Sequence, residues 1–283
     1  MLLRTQPNEW GLIIESVADG TRPAAAWGTL VTPGNNVYGS YTQVLTATSD
    51  ETFLCRITLT SWSVSAAARD ALVTIGIDPA GGTSYADLIT DLAASCAPTY
   101  IQVVPGPVIY EFPIRIPAGA TVAAKATVNN ATVGTGRVAL TLFGRPSRPE
   151  LVKAGSFVQT FGSTPGSSSG TAITPGGAAE GAWTQIGSAL TVPLWFWEFG
   201  YGVNNATMAN NAHHVDIGLG DASDKKVVIP NGLVYETTSE TLAKAAQGRV
   251  GLGAVGDIVY ARVQTGTAAA TAPTSLIVYG VGG

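Results

Sequence analysis

Val73-Thr74-Ile75-Gly76-Ile77 and Val215-Asp216-Ile217-Gly218-Leu219 are two spellings of one segment, 142 positions apart, and their correspondence decides the fold. Working outward, the same shift carries Val31-Thr32-Pro33-Gly34 onto Ile173-Thr174-Pro175-Gly176. It also carries Gly39-Ser40-Tyr41-Thr42-Gln43-Val44 onto Gly181-Ala182-Trp183-Thr184-Gln185-Ile186, so no gap is needed between Val31 and Ile77. Phe143-Gly144 matches Tyr279-Gly280 at a shift of 136, which leaves the second copy six residues shorter between the anchors. Self-similarity at a fixed period marks duplicated architecture. The chain therefore reads as two tandem copies of one fold.

Each copy reads as all-β. Strand-like segments bounded by Gly, Pro, Asn and Asp run over 40–47, 53–64, 72–77, 108–116, 121–128 and 137–143, and again over 184–190, 194–203, 215–219, 227–229, 258–264 and 276–279. In the first of the long segments Cys55, Ile57 and Leu59 alternate with Arg56, Thr58 and Thr60, the period of a strand with one buried face. Pro117-Ala118-Gly119 supplies a turn between two strands. Helical signal is confined to a capping-box pattern at Thr237–Glu240 and to a short stretch over 65–71. With no crossover helices the strands default to antiparallel, and six to eight of them per copy predict two tandem duplicated antiparallel β-sandwich, jelly-roll-like domains. The expected division is an N-terminal arm over 1–29, a first sandwich over 30–144, a linker and arm over 145–172, and a second sandwich over 173–283. Arg145-Pro146-Ser147-Arg148-Pro149-Glu150 reads as a stiff connector, and Gly162 to Gly170 as a loop or arm.

Charged residues make up only 12% of the chain, against roughly 25% in soluble domains generally. A surface this neutral fits faces covered by neighbours in an assembly, and equally an ordinary Gly/Ala-rich sandwich. The net charge of −4, with no Lys/Arg cluster, lacks the footprint of nucleic-acid binding. The longest apolar stretch, Leu190 to Phe199, is interrupted by Pro193 and Glu198 and is too short for a membrane helix. Met1-Leu2-Leu3-Arg4 runs at once into polar residues and Pro7, which is no secretory signal. Two cysteines, Cys55 and Cys96, are too few for a disulfide framework and default to reduced, buried thiols; Cys55 falls at the position of Trp197 in the other copy.

Sites of chemistry are scarce. Gly166-Ser167-Ser168-Ser169-Gly170 spells G-x-S-x-G but sits in a low-complexity loop with no Asp-then-His order behind it. Gly251 to Gly256 spells G-x-G-x-x-G ahead of a strand, which makes it a turn. His213 and His214 point to opposite faces of a strand, cannot share one metal, and read as a surface pair. Asp216, Asp221 and Asp224 lack the spacing of a calcium loop. Asn129-Asn130-Ala131-Thr132 and Asn204-Asn205-Ala206-Thr207 are loop turns. The densest aromatic run is Trp195-Phe196-Trp197-Glu198-Phe199, in which alternation puts Trp195, Trp197 and Phe199 on one face. The three are the candidate glycan or protein interface. They also fit plain core, because Phe53, Cys55 and Ile57 stand at the matching positions. The expectation is a non-enzymatic chain with no catalytic residues, cofactor or metal; a depolymerase would need paired carboxylates among Glu180, Glu198, Asp216 and Glu236.

The stretches 67–82 (AARDALVTIGIDPAGG), 112–119 (FPIRIPAG) and 148–152 (RPELV) resemble structural proteins of tailed bacteriophages. The resemblance implies a virion component: a capsid decoration or cement protein, or a head–tail accessory subunit, built of jelly-roll modules. Its expected partners are other virion proteins and further copies of itself, with neither nucleic acid nor membrane. The alternative is a tail-associated module that binds a host-surface glycan. Both readings expect the protein in the virion after synthesis in the host cytoplasm.

Overall fold

The computed structural model describes residues 13–17, 28–64, 69–98, 107–128, 134–144, 153–177, 179–203, 211–236, 244–245, 249–266 and 274–283. The first copy holds β1 (Ile13–Val17), β2 (Thr29–Val31), β3 (Gly34–Asn35), β4 (Thr42–Leu45), β5 (Leu54–Val64), β6 (Arg69–Asp78), β7 (Ala86–Pro98), β8 (Val108–Phe112), β9 (Thr121–Val128) and β10 (Thr135–Phe143). The second holds β11 (Phe157–Phe161), β12 (Thr171–Ile173), β13 (Thr184–Ala189), β14 (Leu194–Val203), β15 (Asn211–Gly220), β16 (Lys225–Glu236), β17 (Lys244–Ala245), β18 (Arg249–Gly253), β19 (Ile258–Thr265) and β20 (Thr274–Gly282). Among the described residues no α-helix forms, and one 3-10 turn spans Pro165–Ser167. The chain is all-β, as its patterning requires.

Strand pairing confirms the duplication contact by contact. In the first copy β10 pairs with β1, β2 and β5, β5 pairs with β8, β6 pairs with β7 and β9, and β9 pairs with β4. In the second, β20 pairs with β11, β12 and β14, β14 with β18, β15 with β16 and β19, and β19 with β13. Every one of these pairings is antiparallel. Registers fix the shift: Val31 opposite Gly136 becomes Ile173 opposite Thr274, and Leu54 opposite Phe143 becomes Phe196 opposite Val281. Phe143 therefore corresponds to Val281, not to Tyr279 as aromatic character suggested. A slip of two residues keeps every side chain on its own face, so the sequence pattern could not detect it.

Two pairings depart from the antiparallel expectation. β5 and β7 pair in parallel at Trp62–Cys96 to Val64–Pro98, and β3 pairs in parallel with β9. The first of these fuses the two layers of the first sandwich into one ten-stranded sheet, whereas the second copy keeps a six-stranded and a four-stranded sheet. The stretch 145–172, expected as linker and arm, carries β11, and the expected arm carries β1. The strand β11 ends where the Gly/Ser-rich stretch 162–170 begins, and that composition says nothing about the residues before it. Arg69 to Ala71, expected in a short helix, belong to β6, where the ladder to β7, joined at Ala71 by that to β9, overrides helical propensity. The Thr237–Glu240 pattern, the Arg145–Glu150 connector and both Asn-Asn-Ala-Thr turns lie outside the described residues.

Two apolar cores follow from the alternation. Cys55, Ile57 and Leu59, with Val73, Ile75, Ile77, Val122, Ala124, Val138, Leu140 and Leu142, fill the first. At the corresponding places Trp197, Phe199, Tyr201, Val215, Ile217, Leu219, Val259, Ala261, Leu276 and Val278 fill the second. The first core also takes in Trp195, Phe196, Ile277, Tyr279 and Val281 from the second copy, so the two sandwiches share one continuous apolar junction.

Candidate interaction surfaces

The junction is held by polar groups as well as by apolar area. Tyr279 on β20 reaches a bulge of β7, where its hydroxyl donates to Asp91 O at 2.8 Å and accepts from Ala93 N at 3.0 Å. Tyr110 closes the arrangement by donating to Ala93 O at 2.7 Å, its ring edge-on to Tyr279 at 5.5 Å. Beside them Thr160 donates to Thr90 O, Ser163 donates to the Asp91 carboxylate, and Glu198 accepts from Glu111 N at 3.3 Å. Burial pushes the Glu198 carboxyl well above its ordinary range, and its hydrogen bond from the Glu111 amide only partly offsets this. At the edge of the first sandwich Gly155 runs parallel to Ile114, with Gly155 N donating to Pro113 O and Arg115 N donating to Gly155 O.

The aromatic run Trp195 to Phe199 lies wholly within this interior. Trp197 and Phe199 are fully buried in the second core, and the Trp197 indole N–H donates to Gly251 O at 2.8 Å. Trp195 does not share their face. The β14 register slips between Leu194 and Phe196, and this bulge turns Trp195 and Phe196 together toward the first sandwich. Trp195 is 7% exposed, with Lys153 Nζ 4.8 Å above its ring. The expected ladder is thus divided between core and junction, and it offers no ring face to a sugar.

An aromatic–cation pair that the sequence did not flag recurs on the outer face of each sandwich. Tyr41 lies over Gly76 with Lys125 Nζ 4.6 Å from its centroid, and at the same place in the second copy Trp183 lies over Gly218 with the Arg262 guanidinium at 4.5 Å. A Cβ on Gly76 would come within 2.5 Å of the Tyr41 ring, so only glycine admits the ring this close to the strand. Lys125 bonds Asp87 at 2.8 Å, and Tyr41 donates to the same carboxylate. Arg262 joins Asp216 at 2.8 Å and also Glu180. Tyr41 and Trp183 remain half-exposed. The matched Gly-x-aromatic and Ile-Gly segments of the two copies carry the signal.

The remaining candidates resolve structurally. Ser168 is buried in a left-handed conformation, φ 53°, and meets Thr127 Oγ1 at 2.8 Å with β12 following, so strand, nucleophile and helix do not align. The turn at Gly256 stands where Gly119 does in the first copy. His213, expected at the surface, is buried against Tyr201 with ring centroids 5.5 Å apart, while His214 is exposed. Here β15 runs through the middle of its sheet, so its inward positions are covered. Asp216 is held by Arg262 and Asn231 N, whereas Asp221 caps its own turn through Ser223 and Asp224. Glu180 and Asp216 thus share Arg262, and Glu198 sits apart in the junction; the Glu236 side chain lies outside the described residues. Cys55 is a free, buried thiol whose pKa burial pushes up to about 12. The Cys96 side chain lies outside the described residues. Among the described residues no helix is long and apolar enough to cross a membrane.

No family model matches the chain, and no curated protein matches it. Solved structures similar to it include a viral capsid protein, the STIV MCP, at 9% identity and a TM-score of 0.40 over 94% of this chain and 96% of that one. That virus is the Sulfolobus Turreted Icosahedral Virus, not a tailed bacteriophage. Also similar is the CBM22-1-CBM22-2 tandem domain of Paenibacillus barcinonensis Xyn10C, at 11% identity and 0.30 over 96% and 97%. A third is PNGase F, a glycosylasparaginase of Flavobacterium meningosepticum, at 10% identity and 0.37 over 90% and 96%. These likenesses name no family and assign no activity. They include an enzyme, PNGase F, so the expectation of a non-enzymatic chain is not carried further.

Proposed function

We propose that this protein is a structural subunit of a tailed-phage virion, serving as a capsid decoration or head–tail accessory part that binds other virion proteins. The observation that carries the reading is the fusion of two copies of one sandwich through a shared apolar junction, which makes a single block with repeated, charge-poor surfaces. Such a block meets two neighbouring positions of an assembly with one chain. The phage-like stretches at 67–82, 112–119 and 148–152 support the same reading. Particles of the encoding virus, purified by density and analysed by quantitative mass spectrometry, are expected to contain the chain at a fixed copy number that survives washing. Its absence from washed particles overturns the reading.

A host-glycan role has one favourable observation, the half-exposed Tyr41 and Trp183 at matching places on the two sandwiches. Rings on a sheet face can stack on sugars. Trp183→Ala should then abolish binding on a glycan array while leaving incorporation into particles unchanged.

A further inference from the structure

We infer that two copies of this chain pair through β18, edge to edge and antiparallel about a two-fold axis, with Val250 of each copy opposite Leu252 of the other. The inference stands apart from the virion reading and would hold for any function.

The first sandwich shows what this edge can do. There the bridge of Thr52 with Ile116 sets the stretch 113–116 beside the start of β5. The outer edge of that stretch takes a piece of the chain itself: Gly155 N donates to Pro113 O at 2.8 Å, and Arg115 N donates to Gly155 O at 2.9 Å. The same bridge maps onto the pair Leu194–Gly253, which puts Pro113 at Val250, Ile114 at Gly251 and Arg115 at Leu252. Ile114 is buried in the first core, and Gly251 likewise faces inward, its carbonyl accepting from the Trp197 indole. Backbone groups alternate in direction along a strand, so Val250 and Leu252 turn theirs to the outer edge as Pro113 and Arg115 do.

Among the described residues β18 pairs only with β14, so in the second sandwich this edge is bare. Val250 is 56% exposed and Leu252 63%, where Pro113 is buried. Strand registers also carry the buried Ala93 of β7 onto Leu233 of β16, itself 63% exposed. An edge strand with open backbone groups and apolar side chains recruits another strand unless charge or proline blocks it. Val250, Gly251, Leu252 and Gly253 include neither.

A second β18 is the occupant these features select. Half a turn about an axis through Gly251, perpendicular to the sheet, lays Val250 and Leu252 of one strand against Leu252 and Val250 of the other. Four apolar side chains then close on one face of a sheet that runs through both copies. Gly251 meets its mate at the axis with no side chain between them. The apolar cluster of the first sandwich is no rival site: Leu54 and Phe143 are each 4% exposed, with Arg115 over the Phe53 ring at 5.4 Å and Arg56 over the Phe143 ring at 5.3 Å. Because one patch meets itself, association stops at the dimer.

Sedimentation velocity and native mass spectrometry of the full chain should show a dimer that dissociates on dilution, and hydrogen exchange at Val250 and Leu252 should slow as concentration rises. Val250→Lys with Leu252→Lys sets cation against cation twice and should weaken the dimer about 100-fold or more. Both side chains stand largely in solvent, so this variant should keep the wild-type circular dichroism spectrum. Val250→Lys with Leu252→Glu sets each cation against a carboxylate of the partner and should restore a dimer, now sensitive to salt. A monomeric wild type, a dimer untouched by the paired lysines, or a folded Lys/Glu variant that stays monomeric would each overturn the inference. So would protection of β18 that appears only when other virion proteins are added, which gives the edge to a foreign strand.

Discussion

Trp197 stands directly opposite Gly280 across the β14–β20 ladder, at the place where the first copy sets Cys55 opposite Leu142. The two pairs fill one site in complementary ways, a large ring over no side chain in one copy and two middle-sized side chains in the other. A Cβ on Gly280 would come within 3.0 Å of the Trp197 ring. Trp197→Ala is expected to cost about 3–5 kcal/mol by opening a cavity. Gly280→Leu alone should destabilise by overpacking, and the double change Trp197→Cys with Gly280→Leu should recover most of the loss. Urea denaturation of the three variants reads the coupling.

Tyr279→Phe removes the hydroxyl shared by Asp91 O and Ala93 N and leaves both in a dry junction. A loss of about 1–3 kcal/mol is expected. The change should also loosen one sandwich from the other, so a single denaturation transition should broaden or split. Calorimetry of the wild type and variant distinguishes the outcomes.

Glu198 gives the junction a pH dependence of definite sign. Its carboxyl stays neutral in the folded protein well above 4.5, its ordinary value, because burial disfavours the charge. The unfolded chain ionises near that ordinary value, so the stability contributed by Glu198 is complete below it and falls as pH rises toward the folded pKa. Glu198→Gln should flatten this slope and raise the urea midpoint at neutral pH. Midpoints measured between about pH 4 and pH 8 test it.

Arg262 is clamped between Asp216, Glu180 and the Trp183 ring. Arg262→Ala strands the nearly buried Asp216 carboxylate and should destabilise the second sandwich by about 3 kcal/mol or more. Arg262→Lys keeps the charge but loses the planar fork, and should recover only part of this. Urea denaturation followed by circular dichroism checks both changes.

Cys55 should resist a thiol reagent at mild alkaline pH in a Cys96→Ser background, since its pKa lies up near 12 and its sulfur is enclosed. Reaction should appear only with denaturant. Rapid labelling of the native variant would contradict the packing.

Much of this architecture is written in strict alternation. Val73, Ile75 and Ile77, and Val215, Ile217 and Leu219, announce their strands and their copy relation at once. β7 escapes because its Ala-rich sequence has weak strand preference and its alternation breaks at the bulge around Asp91. β18 escapes because its inward positions are Gly251 and Gly253, space surrendered to Val228, Leu190 and Trp197. The junction is illegible for a related reason. Its residues are those at which the copies diverged, Ala93 against Leu233 and Tyr279 against Thr141, so the repeat gives no hint of a shared role. Alternation puts Trp195 on the wrong face because one extra residue at the β14 bulge resets the parity.

The position of Tyr279 also has a consequence for biosynthesis. The Ala93 amide emerges from the ribosome nearly two hundred residues before the hydroxyl that satisfies it. At translation speeds of about 5–20 residues per second, the first sandwich waits on the order of ten seconds or more with that face bare. During this interval a neighbouring nascent chain that has already made its own β20 could be captured in place of the cis partner. Slow codons just after the first copy would lengthen the interval, and close polysome spacing would raise the risk of such cross-capture.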